Sequence, residues 1–270
     1  HNALRKYGVD STMLVNVATS CDWTVQGPTT RWDKVVGRVR QRIGGLAMGL
    51  LRTQNPIVHS PEILPSLWLK RLNNSDADLL HLHWVNKEML SISDIGKLRR
   101  PVVWTLHDMW AFCGAEHYTD NFRWRDGYRR DNRPVDESGF DLNRWTWQRK
   151  YKHWQRPMHI VTPSRWLANC VRESVLMRNW PVDLVSYAID VARWRPVAQS
   201  LARELLGWPR EVPLLLFGAM SGGHDLRKGF DLLVNALNHL RGQIPDLELV
   251  VFGQAAPRNP PDLGFPVHYA

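Results

Sequence analysis

The chain has 270 residues, of which 44% are hydrophobic and 23% charged, a balance typical of a globular protein with a buried core. Its net charge of +9 favours an anionic partner such as a nucleotide phosphate, a membrane surface or a nucleic acid. The three cysteines lack metal-type spacing, and no apolar run approaches the roughly 20 residues of a membrane helix, so composition argues against a disulfide framework and a membrane span and favours a reducing compartment.

Hydrophobic spacing predicts alternating helices and strands along the first part of the chain. The predicted elements are a helix at 2–7, a strand at 11–17, a helix at 32–51, a strand at 78–85, a helix at 87–98 and a strand at 101–106. The last of these is a continuous, β-branched apolar run, which is typical of a parallel strand buried on both faces.

The alternation continues after a long predicted loop at 112–140. The further predicted elements are a helix at 143–155, a strand at 158–162, a helix at 166–175 capped by Ser164, a strand at 182–187, a helix at 200–206, a strand at 213–218, a helix at 230–240 and strands at 247–252 and 267–270. This order predicts the α/β class with parallel sheets. An interruption near 189–198 predicts a first domain at 1–190 and a second at 191–270.

Three histidines lie on or directly after two predicted strands. His107 directly follows the strand at 101–106, at the carboxyl end where ligands of parallel sheets collect. Asp108 could orient its ring or cap the residues that follow. His81 and His83 lie two apart on the preceding strand and so face one side. They could begin a zinc site, but no third ligand has recognisable spacing, so we expect no metal and place them on a cleft wall beside His107. Packed strand ends and a loop histidine are the other interpretations.

A basic turn precedes the predicted helix at 230–240. Arg227, Lys228 and Gly229 lie between that helix and the buried strand before it. Backbone N–H groups at a helix start attract anions, lysine adds a charge, and glycine permits close approach. The preceding loop contains glycines that make it pliable: Gly218, Gly222 and Gly223. The spacing of a Walker loop is absent, and a solvated turn is the alternative, but the position favours diphosphate binding.

Residues 123–156 combine ten Lys or Arg with five Asp or Glu. Four tryptophans are interleaved with them: Trp124, Trp145, Trp147 and Trp154. Such a segment can attract an anionic membrane surface or a lipid-linked acceptor. Nucleic acid is disfavoured because no recognition motif accompanies the charge. A solvated surface with some tryptophans in the core is the other interpretation.

Five motifs taken together resemble one family. They are HLHW at 81–84, PVVWTLHDMWAFCGAEHY at 101–118, VTPSRWL at 161–167, Ile189 with Asp190, and RKGFDLLVNAL at 227–237. In this order they look like the bacterial glycosyltransferases of family 4, and within it like the branch that builds capsule, colanic acid and O-antigen polysaccharides. The resemblance covers residues 2–253.

The resemblance implies a GT-B fold, in which two Rossmann-like domains face a cleft, here with the second domain incomplete. It implies a retaining, hexosyltransferase-type enzyme that moves a sugar from a nucleotide-sugar donor to a saccharide or lipid-linked acceptor. The nucleotide-sugar is a co-substrate, and neither a metal nor another cofactor is expected. A peripheral position at the inner face of the cytoplasmic membrane, against its anionic surface, follows as a further expectation.

The resemblance also assigns roles to individual residues. His107 matches the histidine that contacts the donor sugar near the reacting centre. The residues assigned to the donor diphosphate are Lys228, Arg227 and Gly229. The residues assigned to the cleft and acceptor side are His81, His83, Asp108 and Trp110. We expect the imidazole of the first domain and the ammonium of the second to meet across the cleft.

Three departures from the family pattern leave alternatives open. Ala219 stands where the family usually has an arginine after the strand-ending glycine. The family's first strand would precede His1 and its ribose-binding acidic pair would follow Ala270, so we expect a chain truncated at both ends. The alternatives are a non-catalytic sugar- or lipid-binding module with a decayed donor site, or a metal-dependent hydrolase using His81 and His83.

Overall fold

A computed structural model describes residues 1–220, 225–253 and 255–270. The chain divides into two compact units, His1–Ala188 and Ile189–Ala270, beside the boundary predicted after residue 190. Each unit mixes helices with a parallel sheet, in keeping with a Rossmann-like fold. Nothing in the described residues forms a helix both long enough and apolar enough to span a bilayer.

The first unit is built around a four-stranded parallel sheet. Its helices are α1 (Asn2–Lys6), α2 (Arg31–Met48), α3 (Trp68–Asn73), α4 (Ile92–Gly96), α5 (Arg123–Asp126), α6 (Leu142–His153) and α7 (Arg165–Glu173). Its strands are β1 (Met13–Leu14), β2 (Val25–Gln26), β3 (Leu51–Arg52), β4 (Leu80–Leu82), β5 (Val102–Thr105), β6 (Ser138–Gly139), β7 (His159–Thr162) and β8 (Val182–Leu184). The central sheet has the order β4-β5-β7-β8, while β1 pairs with β2 and β3 with β6.

The central sheet is buried through its apolar strands. Leu82 pairs with Trp104, and Trp104 pairs with Ile160, so three buried side chains form a row across β4, β5 and β7. Helix α7 is fixed at its start by Ser164, whose hydroxyl accepts a hydrogen bond from the Leu167 N–H at 3.2 Å, as the sequence predicts. The sheet thereby presents one fixed carboxyl edge.

One predicted helix is much shorter than expected. The apolar spacing at 87–98 predicts a helix throughout, but the structure has only Ile92–Gly96. Lys87 and Glu88 adopt left-handed backbone angles, with φ of 54° and 59°, which a helix does not allow. A capping box between Ser91 and Asp94 then starts the helix later. The predicted loop at 112–140, in turn, contains α5 and β6.

The second unit contains a three-stranded parallel sheet. Its elements are α8 (Gln199–Leu206), β9 (Leu214–Gly218), a 3₁₀ turn at Leu226–Lys228, α9 (Phe230–Leu240), β10 (Glu248–Phe252) and β11 (Val267–Tyr269). The strand order is β11-β10-β9. Helix α9 has the bounds that its apolar spacing predicts. One buried cluster of this unit consists of Leu237, Leu247, Leu249 and Leu263, and Val250 and Val251 of β10 are buried as well.

Candidate functional site

The carboxyl ends of β4 and β5 bring the three predicted histidines together. The strands are parallel and in register, with His81 opposite Val103. The indole N–H of Trp104 donates to the His83 carbonyl at 3.0 Å, which fixes the chain where it leaves β4. His107 leaves β5 at the same edge. Parallel pairing therefore gathers imidazoles that are separated by more than twenty residues in sequence.

The three imidazoles form a contiguous cluster. The ring centroids of His81 and His83 are 4.4 Å apart, and those of His83 and His107 are 5.3 Å apart. His83 Nδ1 and His107 Nε2 share a hydrogen bond of 3.0 Å, and His81 Nε2 bonds to Thr105 Oγ1 at 2.8 Å. We call His81, His83 and His107 the imidazole cluster.

Tyr187 completes the surroundings of His107. Its hydroxyl lies 2.5 Å from His107 Nδ1, and the two rings stack with centroids 5.7 Å apart. The Tyr118 hydroxyl donates to the His107 carbonyl at 3.0 Å. Sequence analysis missed both tyrosines. The available signal for Tyr187 was its place just after β8, another strand of the same parallel sheet.

Partial burial keeps the imidazole cluster neutral. Burial, reinforced by the neighbouring imidazoles of His81 and His107, lowers the pKa of His83 to about 4. Burial also lowers the pKa of His81 and of His107, in the latter case against an opposing effect of the Asp108 carboxylate. At neutral pH the cluster therefore offers uncharged donors and acceptors, which suit hydroxyl groups.

Of the two roles expected for Asp108, the structure has the cap of the following residues, while its other oxygen contacts His117 and not His107. Its Oδ2 lies 2.6 Å from His117 Nδ1, and its Oδ1 accepts from the Trp110 N–H at 3.0 Å. His117 Nε2 in turn lies 2.9 Å from Ser60 Oγ. This is the order of a Ser-His-Asp relay, but Ser60 and His117 are buried, so no substrate carbonyl reaches the hydroxyl. The three side chains instead fasten the loop after β5 to residue 60.

Trp110 is also placed differently from expectation. We predicted it on the acceptor side, but its side chain is 1% exposed and its indole N–H donates to the Ser60 carbonyl at 2.7 Å. It packs edge-on against Trp104, with ring centroids 6.2 Å apart. Because a buried indole offers no face for stacking, Trp110 is a core residue beneath the site.

A small hollow opens at this edge of the sheet. Its lining residues are His83, Trp84, Asn86, Trp104, Thr105, Leu106, His107, Asp108, Trp110 and Ala111. Within the part of the chain that the structure describes, no three His, Cys, Asp or Glu side chains are grouped to hold a metal ion. His83 and His107 direct one nitrogen each at the other, which leaves this pair poorly arranged for joint coordination.

The loop after β5 is anchored by a buried lysine. Lys150 of α6 is fully buried, and its ammonium donates to the carbonyls of Trp110, Cys113 and Gly114. The same ammonium lies 3.8 Å from the centroid of the Trp110 ring. An ammonium has three donors, so these three carbonyls satisfy it. Burial lowers the pKa of Lys150 to about 7.

The basic segment at 123–156 is divided between the core and the surface, and Arg123 and Lys150 are the two of its ten basic residues that are buried. Arg123 is buried and pairs with Asp141 at 2.7 Å, and three of the four interleaved tryptophans, Trp145 excepted, are buried. The outward part borders a hollow of about 400 Å³. Its lining residues are Arg130, Arg133, Gly139, Phe140, Asp141, Arg144, Trp145 and Gln148. Outside this hollow Arg125, Arg129, Lys152 and Arg156 are also exposed, so the segment does present a basic surface, whereas most of its tryptophans lie in the core.

The second unit carries the predicted basic turn. Gly229 caps α9 with a left-handed φ of 70°, which glycine tolerates best. Asp225 holds the Arg227 guanidinium through bonds of 2.9 and 2.7 Å and accepts the Lys228 backbone N–H at 2.9 Å. The Lys228 side chain is exposed. Ala219 donates its N–H to the Phe252 carbonyl. The predicted loop glycines Gly222 and Gly223 lie outside the described residues.

Comparison with known proteins supplies the family. No curated protein matches the chain. The model of the family described as Glycosyltransferase Family 4 matches residues 3–193, which include the imidazole cluster and Tyr187. That match spans well over half of the 270 residues. The chain therefore belongs to glycosyltransferase family 4.

Proposed function

We propose that this glycosyltransferase moves a sugar from a nucleotide-sugar donor to a saccharide or lipid-linked acceptor, with retention of anomeric configuration. The proposed setting is the synthesis of a bacterial surface polysaccharide at the inner face of the cytoplasmic membrane. The observation that carries the proposal is the imidazole cluster at the carboxyl edge of β4 and β5, inside the stretch that matches the family.

His107 is the residue proposed to contact the donor sugar. Its pKa is lowered by burial, so the ring is neutral at pH 7 and can both donate and accept a hydrogen bond. A sugar hydroxyl that bound there would replace the hydroxyl of Tyr187 or the imidazole of His83. His81 and His83 then hold the ring from the acceptor side.

Lys228 is the residue proposed to bind the donor diphosphate, together with Arg227 and Gly229. In the reaction the bond between the anomeric carbon and the diphosphate oxygen breaks, and its electron pair leaves with the nucleoside diphosphate. The acceptor oxygen bonds to the same carbon, and its proton passes to the departing diphosphate. An ammonium beside that group offsets the growing charge. Because Arg227 forms an ion pair with Asp225, we assign the larger part of the diphosphate binding to Lys228.

The test is transfer by the full chain from a panel of nucleotide-sugars to saccharide and lipid-linked acceptors, with product configuration read by NMR. His107→Ala should lower transfer by roughly 100-fold or more while the fold is kept. Lys228→Ala should weaken donor binding by roughly tenfold. His239→Ala, an exposed histidine of α9, is the control and should change neither.

Three outcomes would overturn all or part of the proposal. Binding of a nucleoside diphosphate without turnover on any acceptor would favour the non-catalytic module, an alternative suggested by the methyl group of Ala219 where an arginine is usual. Full transfer activity in His107→Ala would remove the imidazole cluster from the reaction. A product of inverted configuration would overturn the retaining mechanism alone.

A further inference from the structure

Helix α2 packs on the first unit largely through polar and small residues. Gly44 is the buried residue of this helix, and a Cβ atom there would lie 2.5 Å from Glu88 Oε1. The Arg40 guanidinium donates to the carbonyls of Leu64, Pro65 and Glu88. The side of α2 that faces the protein is therefore formed largely by glycine and a hydrogen-bonded arginine, with Met48 at its end packed on the core and Val36 half-buried.

Most of the large apolar residues of α2 face away from the protein. Five of them recur at helical spacing on one face: Trp32, Val35, Val39, Ile43 and Leu46. Their exposed fractions range from 45% to 76%. A helix packed on a core normally buries such a stripe. Here the arrangement is reversed, and a continuous apolar ridge lies on the molecular surface.

The ridge is bordered by positive charge. Arg31, Lys34, Arg38 and Arg42 are exposed on the flank of the apolar face. The acid of the helix, Asp33, is engaged in the capping box with Thr30. An exposed apolar face with a basic flank and a terminal tryptophan matches the surface of an anionic bilayer in both polarity and charge.

We propose that α2 is a membrane-docking helix that lies in the interface of a bilayer containing anionic phospholipids. Its ridge enters the acyl boundary, while its basic flank meets the phosphates. The inference deepens the proposed function, since it assigns a named surface to membrane association. It does not depend on transfer activity, because docking requires neither the donor nor the imidazole cluster.

The test is co-sedimentation of the full chain with vesicles of phosphatidylcholine, with and without about one third phosphatidylglycerol. The protein should sediment with the anionic vesicles, and rising salt should weaken this binding. Val39→Asp with Ile43→Asp should abolish it. Arg38→Glu with Arg42→Glu should lower the partition coefficient by roughly tenfold or more, since each basic residue contributes about fivefold.

Matched controls separate the ridge from general effects. Val135→Asp places the same charge at another exposed valine, and Arg258→Glu reverses another exposed arginine. Neither should change binding by more than about twofold. All variants should keep the thermal midpoint of the parent, because the altered side chains are exposed.

Three outcomes would overturn the inference. The parent could fail to sediment with anionic vesicles, the aspartates at 39 and 43 could leave sedimentation unchanged, or the parent could form a dimer without vesicles that these aspartates dissociate. In the last case the ridge binds a second copy of the chain. Sugar transfer to a water-soluble acceptor by a protein that binds no vesicles would leave the proposed function intact. Vesicle binding by a protein that binds no nucleotide-sugar would support the docking helix and contradict the proposed function.

Discussion

His107 uses both of its ring nitrogens, one toward Tyr187 and one toward His83. A neutral imidazole has one donor and one acceptor, so the hydrogen bonds can run from the tyrosine toward His83 or in the opposite direction. In either direction the Tyr187 hydroxyl selects which nitrogen of His107 carries the proton. Tyr187 is therefore a positioning residue for the ring proposed to meet the sugar.

We predict that Tyr187→Phe lowers kcat by up to roughly tenfold, the value of one hydrogen bond, with a smaller change in KM. The phenyl ring keeps the stacking on His107, whereas the loss of the hydroxyl frees Nδ1. The pH profile of kcat should therefore shift as well. Steady-state kinetics across pH measure both effects.

Tyr151→Phe is the matched control for this prediction. Tyr151 is an exposed tyrosine of α6 that stacks on Trp147, far along the chain from Tyr187. Removal of the Tyr151 hydroxyl should leave kcat and the pH profile of kcat unchanged. Equal effects of the two substitutions, or an unshifted profile in Tyr187→Phe, would show that the Tyr187 hydroxyl does not position His107.

The sequence predicts the three histidines of the cluster, because strand alternation and strand ends are local patterns. His81 and His83 share a side by period, and His107 follows an unmistakable buried run. Tyr187 approaches from 80 residues along the chain, and His117 takes the carboxylate that local reasoning gave to His107. Partners of this kind depend on how loops fold back, which no local pattern records.

At the scale of elements, α6 holds the loop that carries residues 110–114. The Lys150 ammonium caps three loop carbonyls and sits on the face of Trp110. A buried cation of this kind is stable only when every proton has a partner. Helix α6 and the loop after β5 are therefore one packing unit beneath the site.

We predict that Lys150→Met destabilises the first unit by about 2–4 kcal/mol, because methionine fills the space but leaves three buried carbonyls without a donor. Lys152→Met, two residues along the same helix at an exposed position, should cost less than about 0.5 kcal/mol. Urea unfolding followed by tryptophan fluorescence measures the difference. Equal unfolding midpoints for the two variants would contradict the anchoring role.

Elements whose signals are local match their predictions most closely. The bounds of α9 follow from its apolar spacing, and Gly207 ends α8 in a left-handed conformation. The helix predicted at 87–98 fails at its start because the Glu88 carboxylate accepts the backbone N–H groups of Ile63 and Leu64. That contact spans more than twenty residues, and it holds the chain in a conformation its own sequence does not favour.

For the molecule as a whole, several groups with shifted pKa values make stability depend on pH, and Glu62, His83 and Lys150 show the two directions. Burial, with the charge of Glu88, raises the pKa of Glu62 to about 8. The contribution of Glu62 to the free energy of unfolding is therefore complete below pH 4.5 and is lost as pH rises to 8. The pKa of His83 is lowered to about 4 and that of Lys150 to about 7, so the stability due to these two groups increases as pH rises, opposite to that of Glu62. The stability due to His83 is lost as pH falls from 6.5 to 4, and that due to Lys150 as pH falls from 10.5 to 7.

Glu62→Gln tests the contribution of Glu62, which, unlike those of His83 and Lys150, stabilises the folded protein less as pH rises. Glutamine keeps the acceptor for the Glu88 N–H, which now lies 2.7 Å from Glu62 Oε2, but cannot ionise. The free energy of unfolding of the variant, relative to the parent, should therefore rise between pH 5 and 8, by at most about 1.4 kcal/mol per pH unit. Urea titrations at several pH values, followed by tryptophan fluorescence, measure it. A difference that stays constant with pH would mean that Glu62 is already ionised in the folded protein.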